Sequence, residues 1–131
     1  MIALDTNVLV RYFVRDDPRQ TAIARRLLEE ELSTQERGFV SLTVMAELSW
    51  ALRQVYRRSA EDSCEIARRL LQAAEIEIES EEILRSALRH SHTDIADALI
   101  HEIGVHRGCE RTVTFDRRFA RLDGVELLKA E

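Results

Sequence analysis

Short apolar runs alternate along this chain with longer stretches in which apolar residues recur three and four positions apart. Met1-Ile2-Ala3-Leu4, Gly38-Phe39-Val40-Ser41, Ile76-Glu77-Ile78-Glu79, Thr112-Val113-Thr114-Phe115 and Val125-Glu126-Leu127-Leu128 read as strands. Helical spacing resumes through Val8-Leu9-Val10 and Tyr12-Phe13-Val14, and after Asp17-Pro18 for a segment carrying Ala22, Ile23, Leu27 and Leu28. It recurs through Val44–Leu52, after Ser59-Ala60-Glu61-Asp62 for a segment bearing Ile66, Leu70 and Leu71, and from Thr93 to Ile100. Strand–helix alternation predicts a three-layer α/β/α sandwich: a mostly parallel sheet of four or five short strands with helices on both faces. Only 4 Gly and 1 Pro in 131 residues fit many helices with short joints, and the length fits a single domain over residues 1–131. No internal repeat, low-complexity stretch or linker interrupts it.

Four acidic residues fall where such a fold can gather them. Asp5 ends the first apolar run and Asp116 ends the fourth, so both are expected at strand carboxyl ends, where open parallel sheets place their ligand crevice. Glu47 lies about one turn inside a helix that Ser41 or Thr43 can cap. In Thr93-Asp94-Ile95-Ala96-Asp97-Ala98-Leu99-Ile100, Asp94 and Asp97 share one face while Ile95, Leu99 and Ile103 can pack inward. Oxygen-only ligands in one place suit a hard divalent cation such as Mg²⁺ or Mn²⁺, the usual tool for cutting phosphodiesters. Each acid also has a plainer use: Asp5 and Asp94 as helix caps, Glu47 as a solvent-facing glutamate, Asp116 as a turn residue. Those uses do not explain why Glu47 and Asp97 interrupt otherwise apolar helical stretches.

The ordered set resembles PIN-domain proteins of the VapC toxin type, from toxin–antitoxin operons. It runs from Met1-Ile2-Ala3-Leu4-Asp5-Thr6-Asn7-Val8-Leu9 through Val40-Ser41-Leu42-Thr43-Val44-Met45-Ala46-Glu47-Leu48 and Asp94-Ile95-Ala96-Asp97-Ala98-Leu99-Ile100 to Val113-Thr114-Phe115-Asp116-Arg117-Arg118-Phe119. The resemblance implies a Mg²⁺- or Mn²⁺-dependent endoribonuclease that cuts RNA, forms a homodimer and is held inactive by an antitoxin protein. It assigns Asp5, Glu47, Asp97 and Asp116 to the acidic site, with Asp94 as an additional ligand or a carboxylate behind the ligands. Thr6, Asn7 and Thr114 match the polar residues that orient ligands or water. The chain departs from the pattern at Ile95, where the family commonly has Phe, and in the short Arg89-His90-Ser91-His92-Thr93 segment, which bears on the mouth of the site.

The formal net charge of −5 runs against the basic excess of nonspecific RNA binders, but its distribution is uneven. Acids concentrate in Glu29-Glu30-Glu31 and from Glu75 to Glu82, and arginine pairs recur at 25–26, 57–58, 68–69 and 117–118. Most of these pairs read as solvated helix faces with local ion pairs. Arg117 and Arg118, directly after Asp116, are candidates for substrate phosphate. Lone Cys64 and Cys109 are expected as reduced thiols. His106 follows His101 by five residues, off the spacing of a zinc-protease helix, and His90 and His92 are expected at the surface. No basic leader or run of roughly 20 apolar residues occurs, so a cytoplasmic protein without membrane spans is expected. Tyr12, Phe13 and Trp50 are expected in the core, with a partner surface as the other use of some of them. An aspartyl-phosphate phosphatase is disfavoured because Asp5-Thr6-Asn7 lacks a second aspartate two residues on. The remaining alternative is a non-catalytic PIN-like module that binds a protein or RNA.

Overall fold

The structure is a computed structural model that describes residues 1–90 and 92–129. Ser91, in the joint ahead of Asp94, and Ala130 and Glu131, at the end of the expected domain, lie outside the described residues. Five strands and six α-helices follow in order: β1 (Ile2–Ala3), α1 (Thr6–Val14), α2 (Pro18–Arg26), β2 (Gly38–Val40), α3 (Leu42–Gln54), α4 (Ala60–Gln72), β3 (Ile76–Ile78), α5 (Glu81–Leu88), α6 (Ile95–His106), β4 (Thr112–Thr114) and β5 (Val125–Leu127). Every strand pairing is parallel, which requires crossovers: helices supply them between β1, β2 and β3, and residues 115–124, with one 3-10 turn at Phe119–Arg121, join β4 to β5. Strands sandwiched between helices give the three-layer α/β/α fold.

The strands form two hydrogen-bonded groups, β1-β2-β3 and β4-β5, where the sequence suggested one sheet of four or five. The elements are too short to sustain one ladder. In β1 only Ile2 and Ala3 pair, with the amides of Ile2 and Leu4 given to the carbonyls of Arg37 and Phe39. Thr112 N and Thr114 O of β4 bond to Gly124 and Leu128, on the β5 side.

The caps follow the sequence. Asp17 accepts from the amide of Gln20 ahead of Pro18, Ser41 from that of Val44, and Ser59 from that of Asp62, each satisfying a helix-end donor. After α2 the chain continues as a π-turn, Leu27–Glu31, closed by Leu32 N to Leu27 O at 2.9 Å. Gly38 opens β2 because no side chain fits there: a Cβ would lie 2.8 Å from Leu32 Cδ1 and 2.9 Å from Leu4 Cδ1.

The core is centred on Leu9, Val40, Met45, Leu48, Leu52, Leu84 and Leu99, with Tyr12 and Phe13 half-buried against it. Several apolar residues expected inside are exposed. Trp50 is 59% exposed because α3 turns Met45, Leu48, Ser49 and Leu52 inward, which rotates residue 50 to the opposite face. Val113 and Phe115 are 48% and 80% exposed, correcting the reading of 112–115 as a buried strand. Here β4 alternates, and the half-buried Thr112 and Thr114 take the inner positions. Ile103 and Ile23 likewise face outward, while Ile95 and Leu99 are buried as expected.

Among the described residues, α5 is the helix the sequence reading missed. Its Ile83, Leu84 and Ala87 are buried, and it packs along α6, which carries Asp97. No helix of the described residues is long and apolar enough to cross a membrane.

Candidate active site

Asp5 follows β1 and occupies the N-cap position of α1, but its side chain accepts no capping hydrogen bond and is exposed. The plain capping use is therefore not realised there. The next residue, Thr6, donates its hydroxyl to Glu47 Oε1 at 2.8 Å, joining the β1–α1 junction to the middle of α3. Glu47 is exposed on α3, which Ser41 caps. One polar contact thus ties the residue that follows Asp5 to Glu47, 41 positions away in sequence.

The second group forms at the start of α6. Asp94 holds the N-cap position, again without a capping bond, and its Oδ1 instead accepts from Arg53 Nη1 at 2.5 Å. Asp97 is half-buried one turn on. Burial, and then the neighbouring charges of Asp94 and Asp116, hold the Asp97 carboxyl above its ordinary value, because both disfavour its ionised form. Asp116, 19 positions further along, is therefore close enough to act on Asp97. Its own turn is tightly built: Oδ1 accepts from the amides of Arg118 at 2.8 Å and Phe119 at 3.3 Å, and Thr114 Oγ1 accepts from the Asp116 amide. Here the turn-residue reading is correct and leaves the second carboxylate oxygen uncommitted among the described residues.

Helix α3 joins the two groups, since it carries Glu47 toward β1–α1 and Arg53 toward Asp94. Arg53 was not singled out from the sequence. Nothing local marks it, because its partner lies 41 positions away. Among the described residues it is the one side-chain cation paired with any of these five acids.

The remaining expected residues fare unevenly. Thr6 and Thr114 stand against the acids as described. Asn7 instead lines a cavity of about 310 Å³ with Val8, Arg11, Gln20 and Ile23, on the α2 side of α1. Arg117 and Arg118 are exposed after Asp116. His101 is a buried core residue sharing a hydrogen bond with Thr112 Oγ1 at 2.8 Å, so it fastens α6 to β4. His90 is not a free surface residue: its Nε2 meets Glu102 Oε1 at 2.7 Å in a largely buried contact. His92 is exposed as expected, and both cysteines are free.

A sequence model of the PIN domain matches residues 2–125. The chain belongs to the PIN-domain family. No curated protein matches it. PIN domains are nuclease-type folds, generally hydrolases that use divalent metal ions, and the four acids of this PIN domain stand on the elements just described. Their donor set suits such an ion: it is all oxygen, and burial and then the neighbouring carboxylates disfavour the ionised form of half-buried Asp97. Among the described residues no three His, Cys, Asp or Glu side chains converge closely enough to hold an ion as they stand. Asp5, Glu47 and Asp116 are exposed.

Proposed function

We propose that this PIN domain, as a single domain over residues 1–131, is a Mg²⁺- or Mn²⁺-dependent endoribonuclease, the toxin of a toxin–antitoxin pair. The observation that carries the nuclease reading is the carboxylate crowding at Asp97, where Asp94 and Asp116 bear on a half-buried acid. Such crowding is costly in a purely structural role and is offset by a bound cation.

Asp5, Glu47, Asp97 and Asp116 would hold the ion, which when bound supplies Lewis acidity for water and phosphate. The rest of the work belongs to the chain's own groups. Thr6 fixes one Glu47 oxygen and so orients the other. The Thr114 hydroxyl and the amides of Arg118 and Phe119 hold the Asp116 turn, and Arg53 anchors Asp94 at the head of α6. Asp94 is thereby a positioning carboxylate more than a ligand. Water attacking in line leaves the ribose 2′-hydroxyl uninvolved, so products carry 5′-phosphate and 3′-hydroxyl ends.

The finer parts of the reading rest on the motif resemblance: an antitoxin partner, a homodimer and a cytoplasmic location. Exposed Trp50, Phe115, Ile100 and Ile103 are available for protein partners, and free cysteines suit a reducing compartment.

The test is cleavage of end-labelled structured RNA by the purified chain with Mg²⁺ or Mn²⁺, beside EDTA and Asp97→Asn controls. Cutting lost in both controls is expected. Products ending in 2′,3′-cyclic phosphate would overturn the mechanism. Absence of metal binding would leave the non-catalytic binding module as the better reading.

A further inference from the structure

A cavity of about 570 Å³ lies beside the acidic cluster, lined by Arg89, His90, His92, Thr93, Arg118, Arg121 and Leu122. Three arginines and two histidines meet in it, His90 being tied to Glu102 behind it, and among the described residues its lining contains no carboxylate. In a chain of net charge −5, with acids outnumbering Lys and Arg by 24 to 19, that is a strong local inversion of sign. Two of its walls run directly into the site: Thr93 precedes Asp94, and Arg118 follows Asp116 by two residues.

The arginines are not committed elsewhere. Arg89, Arg118 and Arg121 are exposed and make no ion pair among the described residues, unlike Arg25, Arg37, Arg53, Arg85 and Arg111. Arg89 also lines an adjoining cavity of about 400 Å³ with Arg68 and the Glu81-paired Arg85, while Arg68 and His92 line a further one of about 670 Å³ with Glu61, Asp62 and Glu65, so the excess of positive charge centres on Arg89, Arg118 and Arg121. Guanidinium groups suit phosphate because their fork of donors matches its oxygens, and the loss of a hydrated ammonium is avoided.

We propose that this cavity holds a backbone phosphate of the RNA adjacent to the one being cut, with Arg89, Arg118 and Arg121 as its contacts. The proposal rests on the nuclease reading for the identity of the strand, but its positive cavity is independent of any metal. It also gives the site a direction: the RNA leaves the acids past the α5–α6 joint, away from Glu47.

The test is binding of a short fluorescein-labelled stem-loop RNA by anisotropy in EDTA, across a salt series, with cleavage in Mg²⁺ measured separately. Arg89→Ala and Arg121→Ala are each expected to weaken binding roughly tenfold and to lower the salt slope by about 0.7 to 1. Arg19→Ala, which removes the same charge from an exposed and unpaired position on α2, should do neither. Circular dichroism checks that the variants fold, and both side chains are exposed. If the wild type binds and cuts RNA while Arg89→Ala and Arg121→Ala bind with unchanged affinity and slope, the phosphate cavity is overturned and the nuclease reading stands. If binding depends on these arginines but nothing is cut, the cavity stands and the nuclease reading falls. If the chain binds no RNA, both fall.

Discussion

Replacing Arg53 by methionine removes the one side-chain cation paired with the acidic cluster among the described residues while keeping most of the buried stem. The pair it breaks joins α3 to the head of α6, with the arginine and aspartate side chains 25% and 35% exposed. A hydrogen bond to a charged group contributes about 1.5–3 kcal/mol, and a fully exposed ion pair about 0.2–1 kcal/mol. With a quarter to a third of each side chain in water, the expected loss is about 1.5 kcal/mol. Unfolding entropy of roughly 2.1 cal/mol/K per residue makes 1 kcal/mol worth about 4 °C at this length, so Tm should fall by about 6 °C. Part of that loss is repulsion, since Asp94 then faces Asp97 uncompensated, as Asp116 already does. Adding Asp97→Asn to Arg53→Met should therefore recover stability beyond the sum of the single changes, by about 0.5 kcal/mol or more. Far-UV circular dichroism melts and urea titrations in EDTA measure both quantities. A Tm change under about 1 °C, or additivity within about 0.3 kcal/mol, would refute the argument that Arg53 restrains this cluster.

Asp97→Asn alone should raise Tm near neutral pH in EDTA. The folded chain keeps the Asp97 proton to higher pH than the unfolded chain, so ionisation costs stability as pH rises through that window, and asparagine avoids the cost. The gain should vanish below the ordinary aspartate value of 3.8, and a gain that persists there contradicts the linkage. Gly38→Ala should lower the free energy of unfolding by about 1–3 kcal/mol, read as a lower urea midpoint at unchanged slope, because the new methyl meets Leu32, Leu4 and Ile76 at once; an unchanged midpoint would show that these tips yield freely. Thr6→Val should cut cleavage by roughly tenfold or more with Tm preserved, as Glu47 loses its orienting donor; unchanged kcat/KM would remove Thr6 from the site. Trp50, the single tryptophan, should emit at long wavelength and be readily quenched by acrylamide, and a shielded, blue-shifted signal would mean that a partner surface covers it.

Much of the fold was legible because its signals are local. Strand runs at 76–78 and 125–127, the caps at Asp17, Ser41 and Ser59, and the helix starts at Ala60 and Ile95 each depend on residues within a few positions of one another. Helix α5 was missed although Ile83, Leu84, Ala87 and Leu88 have helical spacing, because the surrounding glutamates read first as an acidic segment. Which apolar residues lie inside was less legible. Val113, Phe115, Trp50 and Ile103 are as apolar as their buried neighbours, and only the placement of the adjoining layers decides their exposure.

Of the candidate site, the sequence by itself determined the acids, their oxygen-only chemistry and the elements that end or begin at them, since a strand end, a turn and a helix start are written in neighbouring residues. The tertiary structure decided what each acid does there. It left Asp5 without a capping bond, turned Thr6 onto Glu47, tied Asp94 to Arg53, and brought Asp116 near enough to Asp97 to disfavour its ionised form. It also decided that Arg118, which the sequence marked, meets Arg89 and Arg121, which it did not, in a single cavity beside those acids. Contacts across forty or more residues depend on how helices pack over strands, and charge interactions depend on the distances that packing sets, so no linear spacing encodes them.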